Sequence, residues 1–96
     1  MVVGVLRLEV FLPESHSLKE RRGVVRRILG RCRQRFPVSC AETGVYDLWQ
    51  RAELGFAAVG HHEDKLNSLF DKIEAHIESL GLGNISASDR EFLRYP

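Results

Sequence analysis

The chain has 96 residues, of which 44% are hydrophobic and 28% are charged, and its formal net charge at pH 7 is +1. This length favours a single domain over residues 1–96, and the composition excludes a disordered chain. Arg7 and Glu9 interrupt the apolar start of the chain, and no stretch is long enough to span a membrane, so we expect a cytoplasmic protein. Cys32 and Cys40 lack the spacing of metal ligands, so we expect buried free thiols, no metal and no cofactor.

The first predicted strand covers residues 3–12. Apolar side chains occupy every second position, and this alternation gives a strand one buried face and one wetter face. The buried face is expected to hold Leu6, Leu8, Val10 and Leu12. The opposite face is expected to hold Val5, Arg7, Glu9 and Phe11. Pro13 then ends the strand because it cannot donate a hydrogen bond to a neighbour.

A helix is predicted from Leu18 to about Arg35. The segment from Ser17 to Glu20 is typical of a capping box, in which the serine hydroxyl and the glutamate carboxylate accept hydrogen bonds from free backbone amides. Pro37 prevents the helix from continuing. Apolar residues recur at spacings of three, four and seven and predict one buried stripe. The stripe consists of Leu18, Val25, Ile28, Leu29, Cys32 and Phe36.

A hairpin, a second helix and a last strand are predicted after the first helix. Residues 38–42 and 52–59 have strand character and are expected to pair across an extended loop. The second helix covers residues 63–78 and ends near Gly81, and residues 85–93 form the last strand. This order is the ferredoxin-like βαββαβ pattern of the α+β class, with a four-stranded antiparallel sheet and both helices on one face.

The other face of the predicted sheet has no helix to cover it. Its residues are rather apolar for a surface in contact with water, so we expect self-association, as a homodimer. The candidates for this face are Val5, Phe11, Gly55, Ala57 and Val59. Phe11 and Phe56 alternate to opposite faces, which argues against stacking of RNA bases on the sheet itself.

The first helix carries eight of the 14 Lys and Arg residues of the chain and one acid, Glu20. At about 100° per residue, seven of these cations lie on two flanks of the buried stripe. One flank consists of Lys19, Arg22, Arg26 and Arg33, and the other of Arg27, Arg31 and Arg35. Cations at this spacing can reach successive phosphates, so we predict contact with RNA or the ribosome. The alternative is a solvated surface whose arginines pair with the acidic second helix.

The loop of the predicted hairpin contains Asp47, Trp49, Gln50 and Arg51. A large tryptophan flanked by polar groups is typical of a contact hot spot, so this loop is a candidate interaction site. The alternative is a loop that folds back. Trp49 would then cover the edge of the core, and Asp47 and Arg51 would form an internal ion pair.

Three stretches resemble the YlxP-like family of small bacterial proteins, whose genes often lie among those for translation factors and ribosome-binding factor A. They are residues 2–13, residues 15–22 with the sequence Ser-His-Ser-Leu-Lys-Glu-Arg-Arg, and above all residues 47–55 with the sequence Asp-Leu-Trp-Gln-Arg-Ala-Glu-Leu-Gly. Residues 89–93 also look like the closing strand of this family. The resemblance implies a ferredoxin-like fold and a link to translation. It brings no reaction, cofactor or catalytic residue.

The sequence contains no recognisable catalytic constellation. Acylphosphatases share this fold, but residues 12–16 have no counterpart of the glycine-rich, arginine-containing phosphate loop of those enzymes. We therefore expect a non-enzymatic cytoplasmic factor that contacts RNA or the ribosome through the first helix. The alternative is a protein-interaction or homo-oligomerisation module that uses the loop from Asp47 to Arg51 and the open sheet face.

Overall fold

A computed structural model of the chain describes residues 1–44 and 48–96. Its elements follow the predicted order. They are β1 (Val2–Phe11), α1 (Leu18–Arg35), β2 (Ser39–Gly44), β3 (Arg51–Gly60), α2 (Glu63–Ser79) and β4 (Asn84–Arg94). Every predicted element is present, and the ends differ from the predicted ones by no more than one or two residues. Among the described residues, no helix is long and apolar enough to cross a membrane.

The four strands form one sheet in the order β2-β3-β1-β4. β1 pairs antiparallel with β3 on one side and with β4 on the other, while β2 pairs antiparallel with β3. The predicted hairpin and the ferredoxin-like α+β fold are therefore confirmed. β2 and β4 are the two edge strands of this sheet.

A hydrophobic core fills the space between the sheet and the two helices. The predicted alternation of β1 is confirmed, since Leu6, Leu8 and Val10 are buried. Gly4 allows α2 to approach β1 closely, because a Cβ atom at this position would lie 3.0 Å from the ring of Phe70. After α2, Gly81 adopts a φ of 68°, a left-handed conformation that glycine tolerates without strain and that often ends helices.

The start of α1 differs from the predicted stripe. Leu18 was expected in the core and is 39% exposed, so this part of the prediction is wrong. The first turn of α1 is held to the hairpin instead by Arg21, whose side chain is only 2% exposed. Its Nε donates a hydrogen bond to the carbonyl of Arg51 at 2.9 Å, and its guanidinium forms an ion pair with Glu42. At 100° per residue Arg21 lies on the same side of the helix as Val25 and the rest of the stripe.

Candidate nucleic-acid interface

The orientation of the candidate interface is set at the first turn of α1. The Ser17 hydroxyl accepts a hydrogen bond from the amide of Glu20 at 3.1 Å. The Glu20 carboxylate accepts one from the amide of His16 at 2.8 Å. The predicted capping box is confirmed, with the carboxylate reaching the amide one residue before the cap. Because the helix begins at a defined residue, its buried stripe and its charged flanks have defined positions.

We call Lys19, Arg22, Arg26 and Arg33 the edge flank of α1. Arg33 donates a hydrogen bond from its guanidinium to the carbonyl of Cys40 in β2 at 2.6 Å, so this side of the helix lies over an edge strand. Lys19, Arg22 and Arg26 line a surface depression of about 460 Å³ together with Gly23. The structure thus brings three of the four cations together around one depression, while the fourth, Arg33, is hydrogen-bonded to the backbone of β2.

We call Arg27, Arg31 and Arg35 the inner flank, because two of these residues lie toward α2. Arg31 and Arg35 share a surface depression of about 310 Å³ with His76 of α2. Burial lowers the pKa of His76, and the positive charges of Arg35 and Arg31 lower it further. Burial is the larger of these causes; the two arginines add to it because a positive charge disfavours the protonated, positive form of a nearby imidazole.

The cations of the two flanks are not neutralised by the described part of the chain. Among residues 1–44 and 48–96, none of the seven has a carboxylate oxygen within 4.0 Å. Acids of α2 pair with β4 instead: Arg90 lies 2.9 Å from Asp71 and 2.6 Å from Glu74, and Arg94 pairs with Glu63. The alternative in which α1 pairs with the acidic second helix is therefore not supported by these contacts.

Hydrogen bonds hold the second half of the loop between β2 and β3 against the segment that follows β1. The amide of Leu12 donates to the carbonyl of Gln50 at 2.8 Å, and the Gln50 side-chain amide donates to the carbonyl of Pro13 at 3.3 Å. Trp49 is 55% exposed and lines a surface cavity of about 410 Å³ with its neighbours Leu48, Gln50 and Arg51. The structure thus places Trp49 on the surface, in contrast to the alternative in which it covers the core edge.

The ion pair predicted between Asp47 and Arg51 involves a residue, Asp47, that lies outside the described residues. Arg51 is described and lies 3.4 Å from the carboxylate of Glu9 on β1. The predicted four-residue cluster is therefore seen in three of its members, Trp49, Gln50 and Arg51.

The open face of the sheet is more polar than predicted. Arg7, in the middle of β1, lies 2.9 Å from Glu53 on β3 and 2.8 Å from Asp89 on β4. The larger apolar part of this face lies at one end of the sheet, where Val59 is 65% exposed and Val5 is exposed beside it, while Phe11 is exposed at the other end of β1. Sequence reasoning missed this ion-paired cluster, although alternation had already placed Arg7 on the open face.

The two cysteines lie beneath the edge flank as buried free thiols, as predicted. Burial, with a smaller effect of Cys40, raises the pKa of the Cys32 thiol to about 11, which disfavours the reactive thiolate. Among residues 1–44 and 48–96, no three His, Cys, Asp or Glu side chains are grouped to hold a metal ion.

Comparison with known proteins identifies a family and a similar bacterial protein. A model of the family described as "Protein of unknown function (DUF503)" matches residues 3–90. "Uncharacterized protein YlxP" of Bacillus subtilis (strain 168) is 36% identical over 78 residues, which span 81% of this chain and 85% of that protein.

Two solved structures are similar in fold. A de novo designed protein with a ferredoxin fold superposes with a TM-score of 0.57 at 16% identity, over 99% of this chain and 87% of its own. SnoaB, a cofactor-independent oxygenase from Streptomyces nogalater, superposes with a TM-score of 0.51 at 11% identity, over 98% of this chain and 92% of its own. At such low identities these structures show the fold alone.

Proposed function

Because the chain belongs to the DUF503 family, whose description names no activity, we propose its function from the geometry of α1. The protein acts in the cytoplasm as a non-enzymatic factor that binds RNA phosphates through the edge flank and the inner flank of this helix.

One observation carries this proposal: the seven flank cations have no carboxylate within 4.0 Å in the described chain. Like charges four residues apart on an exposed helix destabilise it by about 0.2–0.5 kcal/mol for each pair. α1 contains such pairs, for example Arg22 with Arg26 and Arg27 with Arg31. A bound polyanion relieves this repulsion and releases its own counterions, so both partners favour the complex.

The length of the flank also suits a chain of phosphates. Lys19 and Arg33 stand at its two ends, and a rise of about 1.5 Å per residue separates them by roughly 20 Å along the helix axis. Several phosphates fit within this distance, whereas a single small anion would use only one or two of the cations. The polymer, rather than a free phosphate, is therefore the ligand that matches the site.

The test is the binding of a labelled RNA, measured by fluorescence anisotropy at two salt concentrations. We expect Arg22→Glu/Arg26→Glu to bind at least about tenfold more weakly, since a hydrogen bond to a charged group contributes about 1.5–3 kcal/mol. The slope of log K against log salt should fall by about 1.4, because each phosphate contact on a single strand contributes about 0.7. Circular dichroism verifies that the variant is folded.

A matched pair of single variants controls for net charge. Arg26→Glu and Lys65→Glu change the charge by the same amount at exposed helix positions, the first on α1 and the second on α2. The proposal requires that only the first weakens binding appreciably. Equal losses in the two variants would mean that net charge, and not the flank, governs binding, and the absence of binding by the wild type would refute the proposal.

A second candidate function is favoured by the apolar end of the open sheet face. The strand register places Val3 between Val59 on β3 and Leu93 on β4, and both of these neighbours are exposed. A contiguous apolar patch of this kind is typical of a contact between proteins. In this alternative the face joins two copies of the chain or binds a protein partner, together with the loop at residues 48–51.

A further inference from the structure

The loop that carries Trp49 lies at the same end of the molecule as the first turns of α1. Gln50 accepts a hydrogen bond from Leu12 and donates one to Pro13, in the segment that leads from β1 into α1. The next residue, Arg51, accepts a hydrogen bond through its carbonyl from the buried Arg21 side chain of α1. These three bonds hold the loop beside the helix turn that carries Lys19 and Arg22.

The loop also lies on the same edge of the molecule as the edge flank. Arg33 contacts Cys40 in β2, and β2 is the strand that leads into this loop. At 100° per residue, Arg22 and Arg26 lie within about 20° of Arg33 around the helix axis. The edge flank, β2 and the Trp49 loop therefore form one continuous border of the molecule, with cations along it and an exposed indole at its end.

The exposure of Trp49 is unusual for so large an apolar side chain. Trp49 is 55% exposed and Leu48 beside it is also exposed, in a surface cavity of about 410 Å³. The bonds of Gln50 and Arg51 restrain the adjoining backbone, so little conformational entropy is lost when a partner binds. An aromatic face next to a cationic groove is the combination by which proteins hold unpaired nucleotides, stacking the base and pairing the phosphates.

We infer that Trp49 stacks on an unpaired base of the RNA strand whose phosphates the edge flank binds, so that the ligand is single-stranded RNA, such as a loop or an end. This inference rests on the proposed function and specifies its substrate class. A continuous duplex does not fit the site equally well, because its bases are stacked on one another and offer no free face to an indole.

Trp49 is the single tryptophan of the chain, so fluorescence excited at the red edge of the absorption band, where the two tyrosines do not absorb, reports on this residue alone. The experiment titrates the protein with a single-stranded RNA, with a duplex RNA of the same length, and with inorganic polyphosphate, which has the charges but no bases. We expect strong quenching by the single strand and little by the duplex or by polyphosphate. In anisotropy measurements, Trp49→Ala should weaken single-stranded RNA binding roughly tenfold, in the range found for loss of one stacked base.

Two variants of Trp49 separate this inference from the proposed function. Trp49→Phe keeps an aromatic face and should retain most of the affinity for the single strand, whereas Trp49→Ala should leave polyphosphate binding unchanged. RNA binding without quenching and without an effect of Trp49→Ala would overturn the inference and leave the role of α1 intact. If the wild type binds no RNA, both the inference about Trp49 and the proposed function are refuted. A fluorescence change produced only by raising the protein concentration would assign the loop to contact between copies and overturn the inference.

Discussion

Arg21 is a basic side chain buried on the apolar side of α1. Burial of a guanidinium is costly unless the charge is paired and its N–H groups find acceptors. Here Glu42 on β2 supplies the opposite charge, and the carbonyl of Arg51 accepts a hydrogen bond at 2.9 Å. One side chain thus connects the first turns of the helix with both strands of the hairpin, at the base of the loop that carries Trp49.

We expect Arg21→Ala to lower the free energy of unfolding by about 3 kcal/mol, because it leaves Glu42 without this partner in a poorly solvated position. The double variant Arg21→Met/Glu42→Leu should recover most of this loss, since apolar side chains can fill the same space. Urea unfolding followed by circular dichroism measures both.

Arg22→Ala is the control for Arg21→Ala, because Arg22 is the adjacent arginine and is exposed. It should change the unfolding free energy by no more than about 0.5 kcal/mol, as is usual at the surface. Equal midpoints for the two alanine variants would show that the buried pair contributes nothing to stability.

At the scale of the element, α1 has a basic surface that is interrupted by two glycines. Gly23 and Gly30 lie seven residues apart, and at 100° per residue both fall between the edge flank and the inner flank. Apart from its chain neighbours and the nearby backbone of α1 itself, a Cβ atom at either position would meet no atom of the described chain within 4 Å, and neither glycine has a positive φ. Neither packing nor backbone conformation within the described chain requires glycine there, although glycine in a helix interior is unfavourable.

Replacement of these glycines should therefore stabilise the protein. We expect Gly23→Ala/Gly30→Ala to raise the free energy of unfolding by about 1 kcal/mol for each site, the difference between the helix propensities of the two residues. Gly4→Ala is the contrasting variant and should destabilise, since the added methyl group would press on Phe70 at 3.0 Å. A lower stability of Gly23→Ala/Gly30→Ala would contradict this expectation. A gain in stability together with a loss of RNA affinity would show that RNA approaches the helix at the two glycines, where no side chain is in the way.

At the scale of the whole molecule, a nearly neutral chain is divided into surfaces of different character. The flanks of α1 are basic, Glu63, Asp71 and Glu74 of α2 are paired with arginines of β4, and the open sheet face has an ion-paired centre and an apolar end. Both candidate functions include the loop at residues 48–51, but RNA would otherwise bind on α1 and a second copy on the open sheet face. These two surfaces can therefore be tested separately.

Self-association through the sheet should respond to a charge at its apolar end. Val59→Glu places a carboxylate in that contact, and an unpaired buried charge costs several kcal/mol, so the dimer dissociation constant should rise by at least about a hundredfold. Sedimentation velocity measures this shift, with Lys65→Glu as the control on the helical face. A wild type that stays monomeric at high concentration would eliminate the sheet face as a dimer contact.

The sequence alone determined the order and the limits of the elements, because these depend on residues close together in the chain. Ser17 and Glu20 cap α1, Pro37 stops its continuation, and the alternation of β1 separates its buried face from its open face. The two cationic flanks of α1 also follow from helix geometry, since spacing along a helix determines position around it.

Only the tertiary structure decided which charges find partners. Helix geometry groups Arg21 with the apolar stripe, but its burial requires Glu42 and the carbonyl of Arg51, which are distant in the chain. Three acids of α2 pair with Arg90 and Arg94 of β4, and none of the seven flank cations of α1 has a carboxylate within 4.0 Å in the described chain. Ion pairing depends on distances of a few ångström between surfaces, and those distances exist only after sheet order and helix packing bring remote segments together.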